Sequence, residues 1–295
     1  MKKLIIIFLL SGTLCSCVKK SVETPVFDVS TSSLTYKAGD VVKFNFTGKP
    51  DILSFYSGEP GFRYKYINRV NVSGKPNLQF TSFAQTVGAQ TNTLKILASV
   101  DFSGAYDSLN IRKATWINLT SRVILSTGTD NTASGLIDIS DINTDGKPVY
   151  FAFTKHDDND PVKKPWSWII RTFNINLVAA DDGLSYPITT IATAGWKPVD
   201  LLNPTYKWVV TTSSLTAAGG AVNTPENEEW VITKPLNIYT VKPDVGVSIK
   251  TIDANVDSYS YTFKTPGTYT VTFVAQNVNA SDQKKVIKEL TIVVQ

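Results

Sequence analysis

The sequence predicts an all-β protein built from two sandwiches, one of which is split in two by the other. Three observations lead there. Threonine, valine, isoleucine and aromatic residues are frequent while methionine occurs once, a composition that favours strands over helices. Apolar and polar residues alternate in short runs separated by Gly, Pro, Asn and Asp, and no long amphipathic helical period interrupts them. Finally, the strand-like runs at the two ends of the chain each amount to about half a sandwich, and neither half closes a core alone.

The first element is not structural. "MKK" is a positively charged start, and "LIIIFLLSGTL" (4–14) is an apolar run too short to span a bilayer. Cys15 and Cys17 follow, and "LCSC" places Leu14 three residues before Cys17 with Ser16 immediately before it. This resembles a bacterial lipoprotein signal, which implies removal of 1–16 and lipid attachment at Cys17. Cys15, preceded at the same offsets by Gly12 and Leu14, fits that pattern poorly. Diacylglycerol plus an N-acyl chain on Cys17 would anchor the protein stably. The alternative is an ordinary cleaved signal that leaves a free thiol. On the lipoprotein reading no disulfide or cysteine-based site remains, and packing alone must hold an exported fold. Residues 17–24 then read as a solvated tether.

From Phe27 onward the period is two. In "DVVKFNFTG", Val42, Phe44 and Phe46 share one face, with Lys43, Asn45 and Thr47 on the other. "DILSFYSG" is the next strand, and "FYSGEPG" (55–61) ends it in a Gly/Pro corner. At the far end, "SYSYTF", "GTYTVTFVAQNV" and "KKVIKELTIVV" give three more, with Tyr269, Val271, Phe273 and Ala275 on one side of the middle strand. The residues between are also strand-like: "LKILASVDFSG", "ATWINLT", "GLIDISD", "KPVYFAFT", "WSWIIRTFNINLV", "TYKWVV" and "EEWVITKPLNI". The economical layout is one discontinuous domain of 25–66 plus 240–295, with 67–239 inserted at the corner.

"GDVVKF" and "SFYSGEPG" together with "YTFKTPGTYTVTFVAQN" resemble the polycystic-kidney-disease-type immunoglobulin-like domain, although the corner lacks that family's aspartate. The resemblance implies an immunoglobulin-like sandwich for the terminal halves. The stretch "WINLTSRV…SGLIDISD…GKPVYFAFTKHDD…WSWIIRTFNI" is similar to galactose-binding-like jelly rolls, which implies a jelly-roll β-sandwich for the insert. With the signal, "FYSGEPGFRYKYINR", "GKPVYFAF" and "EEWVITKPLNI" resemble the Bacteroidetes lipoprotein family catalogued as domain-of-unknown-function family 5017. That resemblance implies an outer-membrane lipoprotein, on the cell surface or the periplasmic face, encoded beside transporters that import glycans.

The composition removes several chemistries. His156 is the only histidine, no G-x-S-x-G motif accompanies it, and a solvated loop is its expected place. Histidine-rich zinc sites fall for the same reason. A formal net charge of +4, part of it on Lys2 and Lys3, is too small for a nucleic-acid partner. Paired carboxylates for glycoside hydrolysis would come from Asp157, Asp158 and Asp160 or from Glu226, Glu228 and Glu229, two acidic loop patches whose ordinary reading is solvated surface. "DINTDG" (141–146) offers Asp141, Asn143 and Asp145 before Gly146, the first half of an EF-type calcium loop. Position 12 of that loop is Ala152 rather than a glutamate, so a hairpin connection is the plainer reading. "HDDND" is a second calcium candidate, and a structural calcium is the one cofactor the sequence suggests.

Six tryptophans remain. Sugar C–H groups pack on exposed aromatic faces while their hydroxyls bond nearby polar side chains. Trp166 and Trp168 alternate in "PWSWIIRTF", with Trp116 and Tyr150 in other strands, and these four form the candidate ligand-binding set. Trp208 and Trp230, flanked by valine or isoleucine, read as core. The leading expectation is a non-catalytic, lipid-anchored binding protein of a polysaccharide-uptake system. A structural or protein-docking accessory of the transporter is the alternative, and a glycoside hydrolase comes third.

Overall fold

The computed structural model describes residues 21–85, 88–142 and 144–295. Residues 1–16, expected to be a signal, and Cys17 lie outside the described residues. The chain divides into two compact units, one formed by the chain up to Asn68 together with Pro243–Gln295, the other by Arg69–Lys242. Both are all-β, and the only α-helix among the described residues is Ser108–Lys113.

In the first unit a three-stranded sheet orders Phe27–Ser30, Val41–Gly48 and Ser258–Thr262. A five-stranded sheet orders Val247–Lys250, Ile52–Tyr56, Gly267–Val278, Gln283–Val294 and Thr35–Tyr36. Strands far apart in sequence are thus direct neighbours, with Phe44 opposite Tyr259 and Phe55 opposite Phe273. The alternating residues are why. Val42, Phe44, Leu53, Phe55, Val271 and Phe273 turn one face of each strand into a shared core and are essentially excluded from solvent. Phe273 lies 5.1 Å from Phe44 and 5.2 Å from Phe55, ring centre to ring centre.

The corner at 55–61 has specific backbone requirements. Gly58 and Gly61 hold φ of +84° and +87°, where side chains with a Cβ are strained. Glu59 accepts from Ser57 Oγ at 3.0 Å and from the Tyr261 hydroxyl. Burial first, then the adjacent carboxylate, pushes the Tyr261 phenol up to about 12. Just beyond, Asp244 Oδ2 accepts from both the backbone N–H and Nε of Arg63, at 3.0 and 2.8 Å. Val245 N–H donates to Gly61 O at 2.9 Å, so outgoing and returning segments are tied together where the chain leaves and re-enters this unit.

The second unit packs two sheets face to face. One orders Lys197–Asp200, Asn227–Ile232, Tyr150–Asp157, Leu94–Ser99 and Ile117–Asn118. The other is seven-stranded, centred on the long pair Trp168–Ala179 and Gly74–Ala84. Their inner faces supply one core that includes Phe80, Ile96, Phe153, Ile170, Phe173 and Trp208. The first sheet also buries part of its outer face. Phe102 and Ile111, on the loop and helix of 100–116, cover Tyr150, Ala152 and Trp230 there.

Candidate functional site

The second unit carries a cleft of about 840 Å³ lined by Gln90–Lys95, Asn118, Thr120, Ser121, Leu125–Thr127, Trp166 and Trp168. Its apolar lining is Leu94, Leu125 and the tryptophan pair. Trp168 opens its strand, is 5 % exposed, and donates from Nε1 to Thr93 Oγ1 at 2.9 Å. Trp166, two residues earlier, is half-buried. Two glycines press close on it. A Cβ on Gly88 would lie 2.7 Å from the indole Cγ, and one on Gly219 would lie 2.8 Å from the Trp166 carbonyl carbon.

The polar wall is held by a buried amide. Gln90 Nε2 donates to Asp158 O at 2.9 Å and Lys163 O at 3.0 Å, while its Oε1 accepts from Asp158 N–H at 3.0 Å. That ties the 90–95 segment to the loop beyond Asp157. Beside the strand Leu94–Ser99, Asn118 Oδ1 accepts from Thr120 N–H at 2.9 Å, and Thr120 Oγ1 from Ile96 N–H at 3.1 Å. Asn92 holds a φ of +59°. Lys95 is the one charged residue of the lining, and no carboxylate is among the lining residues. The arrangement offers an aromatic surface edged by amides and hydroxyls.

Of the four aromatic residues singled out from sequence, the structure brings Trp166 and Trp168 together. Trp116 and Tyr150 lie in a different cluster, on the outer face of the first sheet. Phe102 sits 5.0 Å from Tyr150 and 5.6 Å from Trp116, and Trp116 sits 5.0 Å from Trp230. Trp116 Nε1 is spent on Ile111 O at 3.0 Å. Tyr150 is 8 % exposed and Trp116 half-buried in this packing, and neither lines the cleft. Sequence reasoning missed the polar rim. "QTNTLK", "NLTS" and "LST" carry no motif, and only their clustering of hydroxyl and amide side chains before or after strands marked them.

The acidic candidates also rearrange. His156 is in the strand Tyr150–Asp157 rather than a loop, with Nε2 3.3 Å from Asp158 Oδ1 and 3.4 Å from Glu226 Oε1. Asp157 and Glu229, expected at the surface, are buried in the sandwich on either side of Lys155. Burial raises both carboxyls above their ordinary range, against the pull of Lys155. Glu228 instead accepts from Trp230 Nε1 at 2.9 Å and pairs with Arg112. Asp160 accepts from the backbone N–H of Val162 and Lys163.

In the "DINTDG" turn, Arg122 donates to both Asp141 oxygens, at 2.8 and 2.6 Å, which holds that carboxyl below its usual value. A cation at Asp141 would compete with this guanidinium for the same oxygens. Asp145 and Gly146 turn the chain with φ of +43° and +76°, and Asn143 lies outside the described residues. Among the described residues no group of three or more His, Cys, Asp or Glu side chains is placed to hold a metal ion.

Fold and site define the class: an all-β protein of two units, with an aromatic-walled polar cleft in the second. The chain belongs to the family described as Domain of unknown function (DUF5017), whose model matches residues 16–196. No curated protein and no solved structure matches the chain.

Proposed function

We propose that this chain is a non-catalytic, lipid-anchored protein of the cell envelope that binds glycan for an outer-membrane polysaccharide-uptake system. The observation that carries the reading is the cleft. Trp166 and Trp168 stand beside Thr91, Asn92, Asn118, Ser121 and Thr127, the mixture of ring face and hydroxyl or amide groups that sugars require. The common glycoside hydrolase arrangement places two carboxyl groups about the bond, and the described residues lining this cleft include none. The lipid anchor rests on Leu14, Ser16 and Cys17 in the sequence.

Electrophoresis through gels containing neutral or acidic polysaccharides tests the proposal. Retardation by at least one polymer, reduced by Trp166→Ala, is the expected result, with no release of reducing sugar. A second reading, docking to the transporter, draws on the short edge strand Val209–Val210, whose Val209 is 58 % exposed. Failure of every polysaccharide to retard the chain would favour that reading and reject the first.

A further inference from the structure

The interior of the second unit holds a set of polar groups that the cleft does not use. Lys155, Asp157, Asn227 and Glu229 are all buried, with Lys155 and Glu229 at 0 % and Asn227 at 1 % exposure. Lys155 stands opposite Glu229, and Asp157 opposite Asn227, in neighbouring antiparallel strands. The period of two therefore puts all four side chains on one face, the core face that also carries Phe153. Lys155 and Asn227 are diagonal neighbours, a separation of about 7–8 Å that a long side chain crosses.

Their polar contacts are only partly matched. Glu229 Oε1 lies 3.4 Å from Lys155 Nζ and 3.2 Å from Asn227 Nδ2, so one carboxyl oxygen touches both nitrogens. Lys155 Nζ also donates to Asp157 and, at 3.0 Å, to Ala218 O. Asn227 Oδ1, Asp157 Oδ1 and Glu229 Oε2 are buried without a partner. Leaving such groups unmatched is costly, and two carboxylates against one ammonium would leave a net buried charge.

We infer that Lys155 and Asn227 are joined by an intramolecular amide bond, formed with Glu229 as proton carrier. The ammonium passes its extra proton to the Asp157 carboxylate, leaving a neutral amine. The Nζ lone pair attacks Asn227 Cγ. Glu229 takes a proton from Nζ and delivers it to Nδ2, the Cγ–Nδ2 bond breaks, and Nδ2 leaves as ammonia. Lysine amine plus carboxamide becomes secondary amide plus ammonia, with no oxidant or further reactant. The product replaces a buried ammonium by a neutral amide and staples the strand Tyr150–Asp157 to the strand Asn227–Ile232. That is a covalent tie between the ends of the segment that carries Trp166 and Trp168.

Peptide mass spectrometry of the folded full-length chain tests this without a variant. Proteolysis should release a branched species joining the Lys155 peptide to the Asn227 peptide, one ammonia lighter than the two together. The species should be absent from Lys155→Arg and Glu229→Gln chains. Separate linear peptides with intact Lys155 and Asn227 would overturn the inference. So would a product one water lighter that links Lys155 to Asp157.

Discussion

Gly58 and Gly61 share a corner and nearly the same backbone conformation, yet they should respond very differently to an added methyl group. At Gly61, with φ of +87°, a Cβ meets nothing within 4 Å, so alanine there costs only the left-handed backbone penalty, about 1–2 kcal/mol. At Gly58, with φ of +84°, the same Cβ would fall 2.7 Å from Thr270 O and 2.9 Å from Thr270 N. Those are backbone atoms of the neighbouring strand Gly267–Val278 and cannot rotate away. Overpacking of this kind adds roughly 1–3 kcal/mol. Gly58→Ala should therefore destabilise the first unit by about 3 kcal/mol and Gly61→Ala by about 1 kcal/mol. Hydrogen exchange of the Gly267–Val278 amides reads the difference directly, since the larger loss raises their opening constant roughly a hundredfold. All six tryptophans lie at 116–230, so tryptophan fluorescence follows the second unit separately. Equal losses for the two alanines would refute the reasoning, because they would mean that Gly58 is required for its φ alone and that the strand contact is irrelevant.

Other outcomes follow from the second unit. Trp168→Ala removes a buried core ring and should cost about 3–5 kcal/mol in urea unfolding, whereas half-buried Trp166 should cost clearly less. A glycan-binding defect in Trp166→Ala would then report on the cleft, and equal destabilisation would remove that distinction. The raised carboxyls give a pH dependence of known sign. Asp157 and Glu229 bind protons more tightly folded than unfolded, so their contribution is fully present below the ordinary values of 3.8 and 4.5 and is lost as pH rises through the folded values. On top of a pH-independent loss from the missing Lys155–Asn227 tie, Glu229→Gln should accordingly gain stability relative to the parent as pH rises, measured as the change in the gap between urea midpoints. A gap that stays constant or moves the other way would contradict the assignment.

Much of the first unit was legible because its strands alternate strictly. "DVVKFNFTG" and "GTYTVTFVAQNV" display their buried faces residue by residue, and the observed strands are Val41–Gly48 and Gly267–Val278. The strand Gly74–Ala84 was not read, although it pairs along its length with Trp168–Ala179. Its buried positions end in Ser82 and Ala84 and begin with Pro76, residues that carry little hydrophobic signal. The pairing of Trp166 with Trp168 was visible as spacing. The rim they share with Asn92, Asn118 and Thr127 was not, because three separate segments contribute it.

The sequence by itself determined the strand content, the apolar faces and the residues available for chemistry, since these depend on composition and on a period of two. Only the tertiary structure decided which of those residues meet. Glu229 and Asp157 read as a solvated acidic surface until strand pairing set them beside Lys155 inside the sandwich. Trp116 and Tyr150 read as partners of Trp166 until Phe102 and Ile111 claimed them for another cluster. The physical reason is the same in each case. A strand fixes which side its residues face, while the neighbour opposite is chosen by the register and layering of segments distant in the chain.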